Sequence, residues 1–144
     1  MVDRDLIRTR LTYIDTNVRI LEDKIAIPKE DFLEDVDQQY VVLHAMQLAI
    51  QAAIDLAAHI VTDEGWGVPI RGGQAFATLA DNKVLPADLS ARLRVMSSFR
   101  NLIVHEYGDI DLSVVFRLLH ESLPDLRLFA AAIEAFLSKS ADQE

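Results

Sequence analysis

Apolar residues recur along the chain at intervals of three and four, which is the spacing of amphipathic α-helices. Alternation at every second residue, which would indicate a half-buried strand, extends over no useful length. The pattern therefore predicts an all-α fold, an antiparallel bundle of four to five helices. At 144 residues the chain fits one domain with one core, which we place at residues 1–138, with a disordered tail at 139–144.

Prolines and glycines divide this pattern into segments. Five helices are predicted, from about Asp3 to Ile25, from Lys29 or Glu30 to Thr62, from Gly73 to Asn82, from Pro86 to Tyr107 and from Asp111 to Ser138. Pro28, the segment Gly65–Pro69 and Gly108 separate them, and Asp111 can cap the last helix. That helix is expected to bend or break at Pro124, because proline lacks the N–H of a helical hydrogen bond.

The second predicted helix combines a long apolar stretch with a polar stripe. The stripe recurs every three or four residues and consists of His44, Gln47, Gln51, Asp55 and His59. An aspartate at a bilayer centre costs about 2.5–3.5 kcal/mol, so we expect a soluble core helix and no membrane contact. Asp55 is the only charge between Tyr40 and Thr62, and it is expected to hold Arg100 or to orient the side of the next long helix that carries Asn101 and His105. Whether Asp55 is structural or part of a site stays open.

The segment Arg100–Tyr107 (RNLIVHEY) sets an arginine, an amide, an imidazole and a phenol into an apolar context. Arginine offers a permanent planar charge that suits a phosphate or a phosphorane, and histidine transfers protons near neutral pH. Arg100 falls within the apolar arc of its helix, where an unpaired charge is costly, so it requires an acid, a carbonyl or a phosphate as partner. These residue types suit phosphodiester cleavage without a metal.

Composition limits the alternatives. The chain has no cysteine, which excludes disulfides, thiolate metal sites and cysteine nucleophiles and is compatible with the cytoplasm. The first residues lack the features of a signal peptide, so secretion is not expected. The net charge of −9 argues against binding nucleic acid by bulk electrostatics. However, Lys83, Arg92, Arg94 and Arg100 surround the motif, with Asp88 alone opposing them. Either this cleft is locally positive and attracts RNA, or the acidic faces of the protein meet a basic protein partner.

The octapeptide resembles the R-x4-H-x-Y signature of the HEPN superfamily, and specifically of HepT toxins, the ribonuclease partners of MNT nucleotidyltransferase antitoxins. Residues 47–59 (QLAIQAAIDLAAH), 65–69 and 76–80 (FATLA) are similar to the same family, so the resemblance spans roughly residues 40–130. It implies a HEPN-like bundle and an MNT-type antitoxin as partner. Arg100 and His105 lie about 140° apart around their helix, and the resemblance implies a homodimer whose two motifs share one cleft.

The resemblance also implies roles for individual residues. The RNA 2′-hydroxyl would attack the phosphate, His105 would move the proton and Arg100 would stabilise the phosphorane, with no metal and no cofactor. Asn101 would position a phosphate oxygen or the imidazole. Tyr107 would be the residue to which the antitoxin transfers AMP, which silences the toxin by steric blockage and like charge.

Two alternatives remain open. The chain can instead be a non-catalytic helical module that binds a nucleotide, or docks a nucleotidyltransferase as a regulatory subunit, through the same cleft. Such a module would tolerate an uncharged hydrogen-bonding substitute for His105, whereas a nuclease would not. Separately, Trp66 can be either an exposed contact for a partner or a lid on the core.

Overall fold

A computed structural model describes residues 3–105 and 110–142, with side chains for residues 3–101 and 110–140. Within these ranges the chain forms six helices and no strands. The helices are α1 (Arg4–Lys24), α2 (Lys29–Glu34), α3 (Val36–Asp63), α4 (Gln74–Asp81), α5 (Ala87–His105) and α6 (Leu112–Asp142). The prediction of an all-α helical bundle is confirmed, although the bundle has six helices rather than four or five.

Helix α3 is the centre of the bundle, because it packs against each of the other five helices. Most of its apolar residues are buried, among them Leu56, Ala57 and Ile60 at 0% exposure. By length and composition alone α3 could cross a membrane, but 61% of its most apolar window is covered by the rest of the protein. Because the other helices cover most of this window, α3 is the core helix of the bundle.

The long second helix of the sequence analysis is in fact two helices, α2 and α3, which meet at Asp35. Asp35 has extended backbone angles (φ −103°, ψ 98°), and its carboxylate accepts the N–H of Gln38 at 3.2 Å as an N-cap. The side chain of Gln39 donates to the carbonyls of Phe32 and Leu33, which would otherwise be unpaired at the end of α2. The prediction of one continuous helix was wrong because helical periodicity persists across this polar break.

The helix ends otherwise follow the local signals in the sequence. Asp111 caps α6 by accepting the N–H of Ser113 at 2.9 Å, as predicted, and Asp3 likewise caps α1 by accepting the N–H of Leu6. After α3 the chain turns through Gly65 and Gly67, whose φ angles of +74° and +128° favour glycine. Pro86 precedes α5 and accepts the N–H of Ser90. The predicted terminator Gly108 lies outside the described residues.

Helix α6 differs from the prediction in two ways. It continues through Pro124 without interruption, because the rest of the helix and its packing outweigh one missing hydrogen bond. It also extends to Asp142, so residues 139–142 of the predicted tail are helical.

Within α6, the guanidinium of Arg127 binds the carboxylates of Asp15 and Glu22 on α1, and this hydrogen bonding holds the pKa of Asp15 below its usual value. The ion pairs join the first and last helices of the chain.

Aromatic contacts connect the shorter segments to α6. Phe32 of α2 packs against Phe116 with ring centroids 5.4 Å apart, and Phe76 of α4 meets Phe129 edge to face at 5.6 Å. Trp66 is half-buried and lies 6.2 Å from the ring of Phe136, so it is a lid on the core rather than an exposed contact. These contacts fix the segment between α3 and α5 against the bundle.

Candidate active site in the cleft beside α5

An open cleft of about 1100 Å³ lies where α5, α3 and the start of α4 meet. One wall is the α5 surface that carries Arg94, Ser97, Arg100 and Asn101, and the other is the segment 70–74 that leads into α4. Gln51 and Ile54 of α3 line the cleft between these two walls. Ala91, Val95 and Ser98 of α5 complete the first wall. The cleft therefore contains Arg100 and Asn101, two of the residues selected from the sequence.

Close backbone packing holds the segment 70–74 in place. A Cβ at Gly73 would lie only 3.0 Å from the hydroxyl oxygen of Ser97, and one at Gly72 would lie 3.4 Å from Ile54. The N–H of Ile70 donates to the side-chain oxygen of Gln74 at 2.8 Å, which closes the turn. Two consecutive glycines thus allow this segment to approach both α5 and α3, and they define the width of the cleft.

Arg100 is half-buried at one end of the cleft. Its Nη1 donates to Oδ1 of Asn101 at 3.2 Å, whereas its buried Nε has no hydrogen-bond partner among the residues that the structure describes. A neutral amide orients the guanidinium but does not compensate its charge, so the group can still accept an anion. The expectation that Arg100 needs a partner is thus met only in part within the described residues.

Asp55 is not that partner. It is exposed, accepts a hydrogen bond from Nε2 of Gln51 at 2.8 Å and lines a separate groove with Arg10 and Tyr13 on α1. The predicted contact with Arg100 is not formed, because Asp55 lies where α3 borders α1, whereas Arg100 lies in the cleft between α3 and α5. Asp55 makes no hydrogen bond with Asn101 among the described residues, and the His105 side chain that it was also expected to orient lies outside them.

The positive charge of the cleft comes from a different set of residues than the sequence indicated. Arg92 is neutralised by Asp88 and Asp125, at 3.1 and 3.0 Å, and faces α6. Arg71, on the segment opposite α5, lines the cleft together with Arg94 and Arg100, and no described carboxylate does so. Arg71 was not predicted because it lies far from the motif in the chain. The two glycines that follow it, which allow close backbone packing, were the available signal.

The remaining members of the motif cannot be placed as side chains. Helix α5 ends at His105, but the side chains of Ile103 and His105, and the whole of Tyr107, lie outside the described residues. Of the other histidines, His44 is exposed, whereas His59 and His120 contact neighbouring groups. Nε2 of His59 lies 2.9 Å from the carboxylate of Asp63, and the ring of His120 lies within hydrogen-bonding distance of the carbonyls of Phe116 and Ile25.

Comparison with known proteins decides the family. The profile described as "Ribonuclease HepT-like" matches residues 14–133. The chain belongs to the HepT-like ribonuclease family. The tRNA nuclease HepT of Aphanizomenon flos-aquae is 32% identical over 132 residues, which cover 92% of this chain and 90% of that protein. The mRNA nuclease HepT of Shewanella oneidensis is 32% identical over 104 residues, or 72% of this chain and 78% of that one.

Solved structures agree with this HepT-like assignment. The tri-AMPylated HEPN toxin of Shewanella oneidensis, in complex with MNT antitoxin, superposes with a TM-score of 0.84 at 27% identity and covers 92% of this chain and 99% of its own. A cytosolic protein of unknown function from Bacillus subtilis, YutE, gives a TM-score of 0.83 at 18% identity over 96% of this chain and 93% of its own. The second likeness supports the helical fold alone, whereas the first extends to a HEPN toxin. The resemblance stated from the octapeptide is confirmed.

Proposed function

We propose that this HepT-like protein is a metal-independent endoribonuclease toxin, held inactive by AMP transfer to Tyr107 from an MNT-type nucleotidyltransferase antitoxin. The observation that carries the proposal is the position of Arg100, half-buried in a cleft of a ribonuclease-family fold, with a nitrogen left unpaired and no described carboxylate lining the cleft. Its relatives are named as nucleases of tRNA and of mRNA, and the related solved toxin is AMPylated and bound to an antitoxin. We place the protein in the cytoplasm.

In the proposed reaction the 2′-oxygen of a ribose attacks the adjacent phosphorus while the bond from phosphorus to the 5′-oxygen breaks. One proton leaves the 2′-oxygen and one reaches the departing 5′-oxygen, and His105 carries out this transfer. Arg100 neutralises the charge that develops on the phosphorane oxygens, and Asn101 orients the guanidinium or a phosphate oxygen. The products are a 2′,3′-cyclic phosphate and a 5′-hydroxyl end.

The proposed active form is a homodimer. Because Arg100 and His105 lie five residues apart on one helix, they diverge by about 140° and do not grip one phosphate well from a single protomer. A two-fold axis beside α5 would bring both residues of each copy into one shared cleft. The open side of the cleft beside Arg100 is compatible with this arrangement.

The proposed chemistry requires a 2′-hydroxyl, which gives its first test. Total RNA incubated with the unmodified protein in excess EDTA should be cut into fragments with cyclic phosphate and 5′-hydroxyl ends, detected by end-specific labelling. DNA of the same sequence should stay intact, because it lacks the nucleophile. Intact RNA from protein whose Tyr107 is confirmed as unmodified by mass spectrometry would instead favour a non-catalytic module that docks the nucleotidyltransferase.

The proposed silencing gives a second prediction. Incubation with the antitoxin and ATP should add AMP to the parent protein and abolish its RNA cleavage, because a bulky anion beside the site repels phosphate. The Tyr107→Phe variant should gain no AMP and keep its nuclease activity, as measured by intact-protein mass and by cleavage of the same RNA. AMP found on Tyr107→Phe would place the modification on another residue.

A further inference from the structure

The cleft extends well beyond the single arginine that the proposed reaction uses. Arg94 precedes Arg100 by six residues, or about 9 Å along the axis of α5, and Arg71 stands on the opposite wall. Three guanidinium groups at this spacing exceed what one scissile phosphate requires. The extra two are therefore available to other phosphates of the same strand.

Neither of these additional arginines is compensated within the described part of the chain. No carboxylate there lies within ion-pair distance of Arg71 or Arg94, and both side chains are exposed. Four other arginines are paired with neighbouring acids, namely Arg19 with Asp15, Arg92 with Asp88 and Asp125, Arg117 with Glu121 and Arg127 with Asp15 and Glu22. Arg8 and Arg10 on α1 also lack an ion pair among the described residues, but they lie outside the cleft. The cleft is locally positive even though the whole chain carries a charge of −9.

Apolar side chains stand beside the arginines. Ile70 is 89% exposed and Val95 is 67% exposed, and they line the cleft from its two opposite walls. Exposed branched aliphatic residues next to unpaired cations are a combination that suits single-stranded nucleic acid, whose phosphates need charge and whose unstacked bases need apolar contact. A partner protein with a purely acidic surface could pair with the arginines, but it would leave Ile70 and Val95 exposed to water.

We propose that Arg71 and Arg94 bind the phosphates flanking the one held by Arg100, and that Ile70 and Val95 contact the adjoining bases. This inference rests on the proposed ribonuclease function and extends its site to the neighbouring nucleotides. The inference also explains how an acidic chain could bind RNA, because the strand would contact a cleft that no described carboxylate lines. Such a cleft selects flexible single strands, since a stacked duplex offers no base faces to Ile70 and Val95.

The test measures RNA affinity in the full-length His105→Ala protein, which does not consume its ligand in the proposed mechanism. Arg71→Ala and Arg94→Ala are each added to this background and compared at several salt concentrations with a single-stranded RNA of defined sequence. Arg117→Ala is the matched control, because Arg117 is exposed on α6 and already paired with Glu121. Each cleft variant should weaken binding roughly tenfold. Each should also make the negative slope of log K against log salt shallower by about 0.7, the value for one lost phosphate contact on a single strand.

Cleavage kinetics give an independent readout in the otherwise unmodified protein. Arg71→Ala and Arg94→Ala should raise KM more than they lower kcat, and the loss should be larger for a long RNA than for a dinucleotide, which has no flanking phosphates. Affinities and salt slopes equal to those of Arg117→Ala would overturn the inference. So would variants that keep RNA affinity but lose the antitoxin in copurification, because the surface would then be a protein interface.

The two proposals fail in different ways. If the parent cleaves RNA and the cleft variants match the control, only the inference about Arg71 and Arg94 is overturned. If the parent cleaves no RNA, the proposed function is overturned, while weaker RNA binding by the cleft variants would still support their phosphate contacts.

Discussion

Replacing either Arg100 or His105 by alanine is expected to lower the rate of RNA cleavage by about 10²–10⁴-fold. In the proposed reaction Arg100 supplies charge to the phosphorane from a half-buried position, with an Nε that has no partner among the described residues, and His105 carries the proton between the two ribose oxygens. The two groups act in one transition state, so the double variant should lose about as much as the worse single variant rather than the product of both losses. Single-turnover cleavage with excess protein in EDTA measures the effect.

Two conservative substitutions separate catalysis from simple binding. Arg100→Lys should recover only part of the activity, because lysine keeps the charge but lacks the planar fork that Asn101 orients. His105→Gln should be as inactive as His105→Ala, because glutamine forms hydrogen bonds but transfers no proton. Parental cleavage by His105→Gln would contradict the mechanism and support the non-catalytic module. Arg117→Ala, on the exposed face of α6, serves as the control and should cleave normally.

The sequence predicted the fold well where a single local signal decides the structure. Asp111 caps α6, and Gly65 and Gly67 follow the end of α3 with positive φ angles, as the residue types suggested. The break at Asp35 was missed because its cause is partly tertiary. Burial of Phe32 against Phe116 turns α2 into the core, while the apolar periodicity continues on either side.

The sequence selected residues of the candidate site but not all of their neighbours. Arg100 and Asn101 line one cleft, whereas the side chains of His105 and Tyr107 lie outside the described residues. Asp55 does not pair with Arg100, because helical spacing gives the face of a residue but not the helix that packs against that face. Here α1 borders Asp55 instead of α5. Arg71 lies 29 residues before Arg100 in the chain. It enters the site only through a turn whose two glycines pack on α3 and α5.

This arrangement also resolves the conflict between an acidic chain and an RNA substrate. Net charge describes the long-range field, whereas affinity for a strand depends on the cations within a few ångströms of its phosphates. Elsewhere in the bundle, acids and bases neutralise one another in ion pairs between helices, such as that of Arg127 on α6 with Asp15 and Glu22 on α1. The cleft keeps its arginines unpaired among the described residues, so binding should depend steeply on salt.

Phe129→Ala is expected to be the most destabilising single substitution tested on the bundle, at about 3–5 kcal/mol. Phe129 of α6 is fully buried and meets Phe76 of α4 edge to face, so its removal leaves a cavity and one ring without its partner. Thermal unfolding at one fixed protein concentration should show a fall in Tm of roughly 10 °C. Leu128→Ala is the matched control, because Leu128 is adjacent on α6 but 51% exposed, and it should change stability by less than about 0.5 kcal/mol.

The same substitution links the core to the cleft. Phe76 lies two residues beyond Gln74, whose side chain closes the turn that carries Arg71, so loosening α4 should also loosen one wall of the cleft. Below its lowered Tm, Phe129→Ala should therefore bind RNA more weakly than Leu128→Ala does, while Arg100 stays fixed on α5. Equal unfolding temperatures for the two variants would show that the contact between α4 and α6 contributes little to the core. Reduced stability with unchanged RNA binding would show that the wall is held by Gly72 and Gly73 against α3 and α5 alone.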